Sequence, residues 1–327
     1  MKKIVVTGIN GLIGQYIVEP LKELEFEVYG IGRRDITTND FNYIKCDINN
    51  SLQIENIFNK IKPEYLINLA WDLGIEHYVS NSNFELLTSS LNMLKYFKEN
   101  GGKKSVFIGT CLEYKSKNIP IKEYDELNPT TVYSKCKNYL REISELYCNK
   151  NNIDFCWCRV FYVYGENENK YRLFPYIINN LKENKKVIIN HSQLEKDYIY
   201  AGDAAKALVK VLNSQVKGII NVCSGKGIKL GDFATIIAKK MNKEHLLELH
   251  ELETNEPNIM IGDNTKLINK LNFRDYSNME DIIYKFLAEQ SRAEQSRAVN
   301  YKIYIILLYK KLNVNTFLYL SKYRSVA

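Results

Sequence analysis

A tyrosine and a lysine four residues apart, Tyr133 and Lys137, have the types and spacing needed to move a proton. A free phenol, with a pKa of about 10, is a poor base at neutral pH, but an ammonium one helical turn away favours the phenolate. Thr110, at the end of a predicted strand, adds a hydroxyl that can hydrogen-bond a reacting oxygen. The sequence therefore predicts these three residues as a catalytic set. A solvated surface pair is the alternative interpretation of the Tyr and Lys.

A glycine-rich turn follows the first predicted strand, in the run Thr7-Gly8-Ile9-Asn10-Gly11-Leu12-Ile13-Gly14. Glycine permits positive φ, close approach of the backbone to a phosphate, and close packing of helix on strand. A helix that begins there presents amide donors to an anion. The motif predicts a dinucleotide site formed by Gly8, Asn10, Gly11, Leu12, Ile13 and Gly14. A glycine turn without a ligand is the alternative.

The end of the second predicted strand bears on the choice of cofactor. An acid at this position hydrogen-bonds the ribose 2′-hydroxyl of NAD, whereas a basic group accommodates the 2′-phosphate of NADP. Here Arg33 and Arg34 precede Asp35. The order favours NADP(H), with NAD(H) as the second choice and two solvated surface arginines as the alternative interpretation.

The elements that would position these residues alternate along the first half of the chain. Short apolar runs predict strands at 3–7, 27–32, 65–70, 105–110 and 155–161, and amphipathic stretches predict helices near 12–25, 51–61, 83–99 and 133–151. This rhythm predicts an α/β fold, a Rossmann-type doubly wound parallel sheet with right-handed crossovers. Ligands of such sheets bind at the carboxyl ends of the strands.

The rhythm loosens after Gly165. Helices are predicted at 173–184, 203–213, 230–241 and 278–289, and strands at 186–190 and 218–222. We expect residues 1–165 to form the dinucleotide-binding domain and residues 166–290 to form a smaller C-terminal α/β substrate lobe, parts of which return to the first domain. The site is expected in the cleft between them.

Residues 291–327 depart from this pattern. The sequence AEQSR at 288–292 is repeated at 293–297, and an apolar run at 303–309 ends at two lysines. That run is too short to span a bilayer. We interpret the segment as an appended basic and apolar tail outside the fold. An amphipathic helix that contacts a membrane surface is the alternative.

Charge and cysteine content argue against other classes. The formal net charge is +7, but residues after 290 carry seven basic side chains and one acid, so the rest of the chain is near neutral and no nucleic-acid role is expected. The seven cysteines show no paired spacing, and Cys156 and Cys158 have no second ligand pair for zinc. The chain begins directly with a strand, so we expect a reduced, cytoplasmic protein without a metal site.

Seven short motifs occur in one order: the glycine turn, Asp47-Ile48, Asn68-Leu69-Ala70, Thr110 to Tyr114, Tyr133 to Lys137, Arg159 to Gly165, and Lys196-Asp197-Tyr198. With these motifs the chain resembles, over roughly residues 3–290, the extended short-chain dehydrogenases/reductases that act on nucleotide-sugars, the NAD-dependent epimerase/dehydratase family. The resemblance implies oxidoreductase chemistry on a nucleotide-sugar. It also implies a homodimer through the helices near 83–99 and 133–151.

The resemblance further assigns individual contacts. Those to the cofactor would come from Asp47 and Ile48 at the adenine, from Leu69, Ala70 and Phe161 along the cofactor, and from Tyr133 and Lys137. Those to the substrate would come from Thr110, Tyr162, Arg172 and Lys196. The family usually has Arg where Lys196 stands and commonly Asn where Tyr162 stands. The ammonium of Lys196 is a point charge, whereas an arginine guanidinium can form two parallel hydrogen bonds to one anion. Tyr162 likewise places a phenol where the family has an amide. An altered substrate pocket is therefore expected.

The residues after Thr110 narrow the reaction. Family dehydratases have Asp-Glu there, and this chain has Cys111-Leu112, so a dehydratase is not expected. The leading hypothesis is NADPH-dependent reduction, at C4, of a nucleotide-linked 4-keto-6-deoxyhexose in surface-polysaccharide sugar biosynthesis, with Tyr133 as proton donor. An NAD-dependent nucleotide-sugar 4-epimerase uses the same residues and stays open. A non-catalytic nucleotide-binding scaffold is the third hypothesis.

Overall fold

The computed structural model describes residues 1–74 and 76–289, together with Arg292, Tyr301 and Tyr304. The chain divides into two compact units, Met1–Asn278 and Met279–Ala327, and residues 279–289 of the second unit are helical. The predicted tail, with its repeat and its apolar run, otherwise lies outside the described residues. Within the described part of the chain, no helix has both the length and the apolar character needed to cross a membrane.

Thirteen strands and eight α-helices are described in the first unit. The strands are β1 Lys2–Thr7, β2 Phe26–Gly32, β3 Asn42–Lys45, β4 Tyr65–Asn68, β5 Lys104–Thr110, β6 Asp154–Val160, β7 Tyr162–Tyr164, β8 Val187–Ile189, β9 Glu195–Tyr200, β10 Gly218–Val222, β11 Gly227–Lys229, β12 Leu247–Leu249 and β13 Ile259–Met260. The helices are α1 Val18–Glu23, α2 Ser51–Ile61, α3 Ser82–Glu99, α4 Val132–Lys150, α5 Leu173–Lys182, α6 Ala201–Leu212, α7 Leu230–Lys240 and α8 Thr265–Leu271.

Seven parallel strands form the main sheet, in the order β10-β6-β5-β4-β1-β2-β3. Both faces are covered, as the apolar strands predict: Ile4 and Val6 belong to a core with α1, α6 and α8, and Val5 belongs to a core with α2, α3 and α4. Successive side chains of one strand thus enter opposite cores. The predicted doubly wound Rossmann-type sheet is confirmed.

A smaller sheet is centred on β9, which pairs with β7, β11 and β13. β8 and β12 form a separate two-stranded sheet beside α5 and α7. β10 and α6, although late in the chain, belong to the main sheet and its core. The domain boundary at residue 165 stays a prediction.

The structure differs from the sequence expectations in its short elements. The predicted helix 12–25 is split into a 3₁₀ turn at Gly14–Tyr16 and α1. Pro20 explains the split, because proline inside a continuous helix removes a hydrogen bond and clashes with the preceding turn, whereas the first turn of α1 tolerates it. The sequence analysis also missed β3, β7, β9, β11, β12, β13 and α8.

Candidate active site

A cavity of about 1480 Å³ opens at the carboxyl ends of β1, β2, β4, β5 and β6. The predicted site residues that line it are Gly8, Asn10, Gly11, Leu12, Ile13, Arg33, Arg34, Asp47, Ile48, Leu69, Ala70, Thr110, Tyr133, Phe161, Tyr162, Arg172 and Lys196. Two predicted residues, Gly14 and Lys137, are not part of the cavity wall. The structure therefore brings the predicted residues together around one cavity.

The glycine turn is shaped by backbone contacts. Gly8 adopts a φ of +67°, and a side chain there would meet the backbone nitrogen of Ala70 at 2.9 Å. A Cβ on Gly14 would lie 2.3 Å from the carbonyl oxygen of Gly8. Only glycine fits such contacts, which bring the main chain to the edge of the cavity. The turn thus has the form expected of a pyrophosphate cradle.

The end of β2 presents the two predicted arginines to the cavity. Arg33 and Arg34 are exposed and line it. Asp35 instead pairs with Lys45, with 2.7 Å between Oδ2 and Nζ. Tyr43, on the strand that the sequence analysis missed, donates to the carbonyl of Arg34 and accepts from the Asn10 amide at 3.0 Å. This end of the cavity is thus basic.

Tyr133 lies at the start of α4, and its side chain packs among other aromatic side chains. Thr131 caps the helix by accepting from the Ser134 backbone at 3.1 Å, and the Tyr133 backbone donates to the carbonyl of Tyr78 at 3.2 Å. The His77 and Trp71 rings lie 5.4 Å and 6.3 Å from the Tyr133 ring. Burial raises the pKa of the Tyr133 phenol, and a hydrogen bond with Thr110 opposes the shift.

Lys137 points from α4 toward the end of β5. Its Nζ donates to the carbonyl of Ile108 at 2.8 Å and lies 3.8 Å from the centre of the Trp71 ring. Burial lowers the pKa of Lys137 to about 7, and the charge of Glu113 opposes that shift. Trp71, which the sequence analysis did not single out, lines the cavity beside this ammonium.

Thr110 is held by a buried ionic network behind it. Its backbone donates to Glu113 Oε1 at 2.9 Å, and the other carboxylate oxygen accepts from Arg159 Nε at 2.7 Å. The Trp157 indole also donates to both oxygens at 3.1 Å. Glu113 and Arg159 are both fully buried. They fell inside two of the recognised motifs, but nothing in the sequence indicated that they pair.

The predicted substrate cations, Lys196 and Arg172, both line the far part of the cavity. Lys196 is only 2 % exposed; its Nζ donates to the carbonyl of Pro257 at 2.9 Å and lies 3.3 Å from Glu256 Oε2. The ammonium also lies 5.6 Å from the centre of the Tyr162 ring. Arg172 stands at the start of α5 and hydrogen-bonds Tyr78.

Glu168, which lies in the same part of the cavity wall as Arg172, was missed by the sequence analysis. It lines the cavity, and its Oε2 is buried without a hydrogen-bond partner among the described residues. Burial raises the pKa of Glu168 to about 8, and the nearby Arg172 charge opposes the shift. The wall thus carries a carboxyl group that takes a proton near neutral pH. In residues 1–74 and 76–289, no cluster of three His, Cys, Asp or Glu side chains could hold a metal ion.

The arrangement suits hydride transfer coupled to proton transfer: a dinucleotide cradle at one end, and a phenol with a buried lysine and a strand-end threonine at the other. The class that it defines is the Rossmann-type dehydrogenases/reductases. Comparison with known proteins narrows this class. The sequence model of the NAD dependent epimerase/dehydratase family matches residues 4–223.

Individual relatives agree with the family match. A putative UDP-glucose 4-epimerase of Methanocaldococcus jannaschii is 26% identical over 72% of this chain and 81% of its own length. A dTDP-6-deoxy-L-talose 4-dehydrogenase (NAD(+)) of Aggregatibacter actinomycetemcomitans is 25% identical over 68% and 84%. The crystal structure of a UDP-glucose 4-epimerase from Thermotoga maritima superimposes with a TM-score of 0.79 at 20% identity, covering 86% of this chain and 96% of that one.

The chain therefore belongs to the NAD dependent epimerase/dehydratase family. This confirms the family expected from the seven motifs and makes the protein an NAD(P)-dependent enzyme of the extended short-chain dehydrogenase/reductase type.

Proposed function

We propose that the protein reduces a nucleotide-linked 4-keto-6-deoxyhexose at C4 with NADPH. The observation that carries the proposal is the basic end of the cavity. Arg33 and Arg34 line it, whereas Asp35, the acid that would select a free 2′-hydroxyl, is turned to Lys45. A reductase consumes its reduced cofactor at every turnover, and NADPH is the usual donor for that task. The relative named a dTDP-6-deoxy-L-talose 4-dehydrogenase supports oxidoreduction at C4 of a 6-deoxy sugar.

The catalytic residues fit the direction of this reaction. Bound nicotinamide would supply the hydride to the ketone carbon. Tyr133, whose phenol is held protonated by burial, donates its proton to the ketone oxygen, which becomes the alcohol. The phenolate left behind regains its proton from solvent. The Thr110 hydroxyl orients the same oxygen, and Lys137 stabilises the phenolate between the two events.

The other end of the cavity offers groups for a nucleotide-sugar. The buried ammonium of Lys196 suits a diphosphate, because a cation with little water around it attracts an anion strongly. Tyr162 and Arg172 flank the space between Lys196 and Tyr133, where the sugar would lie. The names of the relatives, a UDP-sugar epimerase and a dTDP-sugar dehydrogenase, support a nucleotide-sugar substrate.

An NAD-dependent 4-epimerase is the second candidate. It is favoured by the epimerases among the similar proteins, in sequence and in structure. It differs from the reductase in its use of cofactor, since an epimerase takes the hydride up and returns it to the other face of the same carbon. Such an enzyme works with a catalytic amount of NAD.

One assay separates these candidates. Purified protein is incubated with NADPH or NADH and with cytidine-, uridine- and thymidine-diphosphate-linked 4-keto-6-deoxyhexoses, and loss of reduced nicotinamide is followed. We expect NADPH oxidation with one of them, and at least about a thousandfold slower turnover in Tyr133→Phe, because proton donation is lost while binding is retained. Interconversion of UDP-hexoses with catalytic NAD would instead establish the epimerase. Cofactor binding without either reaction would instead support the third hypothesis, a non-catalytic nucleotide-binding scaffold.

We also propose that the protein works as a homodimer through α3 and α4. Both helices carry exposed large apolar side chains, and on α4 these are Tyr139, Ile143 and Leu146, spaced along one helical face. Phe84 on α3 is also 55% exposed. Light scattering on wild type and on Leu146→Lys tests this: we expect a dimer that the charged substitution converts to monomer. A monomeric wild type would contradict it.

A further inference from the structure

Trp71 occupies a position that the reaction outlined above leaves unexplained. It follows the Asn68-Leu69-Ala70 stretch after β4 and contributes to the cavity wall. The Lys137 ammonium lies 3.8 Å from the centre of the indole ring and donates to the carbonyl of Ile108 in β5 at 2.8 Å. Because Trp71 lines the cavity and lies against the Lys137 ammonium, its bulky indole limits how much water reaches that charge.

The indole is fixed in orientation from the opposite side. Its Nε1 donates to Asn83 Oδ1 at 2.9 Å. The Asn83 amide group donates in turn to the carbonyls of His77 at 2.7 Å and Ser80 at 2.8 Å, and Asn83 has no exposed surface. Because its hydrogen-bonding groups are occupied, Asn83 holds the indole plane against Lys137 and ties it to the first turn of α3.

We propose that Trp71 is a positioning residue for Lys137: its indole face holds the ammonium at the end of β5 and keeps cavity water away from it. The inference rests on the two roles given above to Lys137, as a cofactor contact and as the group that stabilises the Tyr133 phenolate.

Two opposing effects of the indole can be separated by substitution. Burial lowers the pKa of Lys137. The attraction of a desolvated ammonium to an aromatic face, about 2 kcal/mol, raises that pKa by about 1.5 units. Trp71→Ala opens the wall, so the pKa of Lys137 should rise by more than about one unit. Trp71→Leu keeps an apolar wall without the aromatic face, so the pKa should fall. Trp71→Phe keeps both and should change it least.

Few charged groups act on this ammonium. Glu113 lies behind Thr110 and favours the charged form. Tyr133 precedes Lys137 by one turn of α4, and Arg172 acts on the Tyr133 phenol from α5. Trp71 also packs on the Tyr133 ring, with 6.3 Å between the ring centres, and Trp71→Phe, which keeps an aromatic neighbour there, is the control for that contact. The direction of each shift therefore reports the contact between Trp71 and Lys137.

The test measures cofactor binding and requires no sugar substrate. Dissociation constants for NADPH and for NADH are measured between pH 6 and pH 9.5 from the change in nicotinamide fluorescence, in wild type, Trp71→Ala, Trp71→Leu and Trp71→Phe. The same measurement on Lys137→Met gives the pH dependence that comes from every other titrating group, including the cofactor phosphate, and serves as the reference. In wild type we expect affinity to fall severalfold as pH rises through about 7, as the pKa of Lys137 requires.

The expected result is a midpoint that moves up in Trp71→Ala, down in Trp71→Leu, and little in Trp71→Phe. A merely structural role would weaken binding in all variants without moving the midpoint in opposite directions, and that outcome would overturn the proposal. If Lys137→Met keeps the wild-type pH dependence, the proposed role of Lys137 falls together with that of Trp71. If the midpoints move as expected but no keto-sugar is reduced, the proposed function fails and the positioning role stands.

Discussion

The two ends of the cavity are built differently. At the cofactor end, one turn of eight residues supplies a backbone cradle, in which glycines approach Ala70 and Gly8 closely. At the sugar end they are side chains delivered by α4, α5, β7 and β9 and by loops between them. A backbone site can be identified from local spacing, whereas a side-chain site exists only after distant segments have packed. The variants below test this difference, from the largest expected effect to the smallest.

The buried pair behind Thr110 should give the largest effect on stability. Glu113→Gln keeps the side-chain shape but leaves the Arg159 guanidinium buried without its counter-charge. We expect the free energy of unfolding to fall by about 3 kcal/mol, measured by urea denaturation. The matched control is Glu126→Gln, which breaks the exposed pair with Lys115 and should cost less than about 0.5 kcal/mol. Equal losses in both variants would show that the buried network does not hold the sugar end together.

The glycine turn should give the next largest effect, on binding. In Gly14→Ala the new Cβ would lie 2.3 Å from a backbone oxygen, so the turn must move. We expect the dissociation constant for the preferred cofactor to rise about a hundredfold, or about 2.7 kcal/mol, measured by calorimetry. Gly74→Ala is the control within the same cavity, because its Cβ meets nothing nearer than an Asp72 oxygen at 3.5 Å. Unchanged affinity in Gly14→Ala would contradict the view that the close-packed backbone of the glycine turn binds the cofactor.

The same distinction explains what sequence reasoning could predict. Six of the seven strands of the main sheet were identified because they read as apolar runs that enter the buried cores, whereas β3, at the edge, has no buried residue and was missed. β9 was missed because two of its six residues, Lys196 and Asp197, are charged yet buried. Four hydrogen bonds to Asp197, from Ser224, Gly225 and Gly262, compensate for that burial, and they come from segments far along the chain.

Residues at the sugar end were missed for a related reason. Glu168 and Trp71 carry no local spacing signal, and each has a role only through neighbours that folding brings to it. Tyr133 and Lys137 were found because their spacing of one helical turn is a local signal in the sequence. In contrast, the network of Glu113, Trp157 and Arg159 joins β6 to the 3₁₀ turn at Cys111–Glu113, and no pattern within either segment indicates it.

Arg33 should show a smaller effect, confined to cofactor selectivity. The side chain is exposed at the cavity edge, so Arg33→Ala should leave folding unchanged. We expect the affinity for NADPH to fall about tenfold relative to that for NADH, because one cation near the 2′-phosphate is worth about 1.4 kcal/mol. The ratio of the two dissociation constants is measured by nicotinamide fluorescence. A wild-type protein that already prefers NADH would contradict the cofactor preference itself.

Glu168 should give an effect that depends on pH. Its pKa is raised from 4.5 to about 8 in the folded protein, so between these values the folded state binds a proton that the unfolded state has lost. Stability must therefore fall as pH rises through this window, and the cost is fully present only above pH 8. Glu168→Gln is neutral throughout and escapes that cost.

We expect Glu168→Gln to gain stability relative to wild type as pH rises from 5 to 9, because wild type alone carries the cost of the buried carboxylate. The raised pKa of Asp197, about 6, contributes its own slope, but that slope is present in both proteins and cancels in their difference. Urea denaturation at the two pH values measures the difference. A gap of the same size at both would mean that the carboxyl is not held out of water at the sugar end. In that case side-chain burial would distinguish the two ends less sharply than the geometry does.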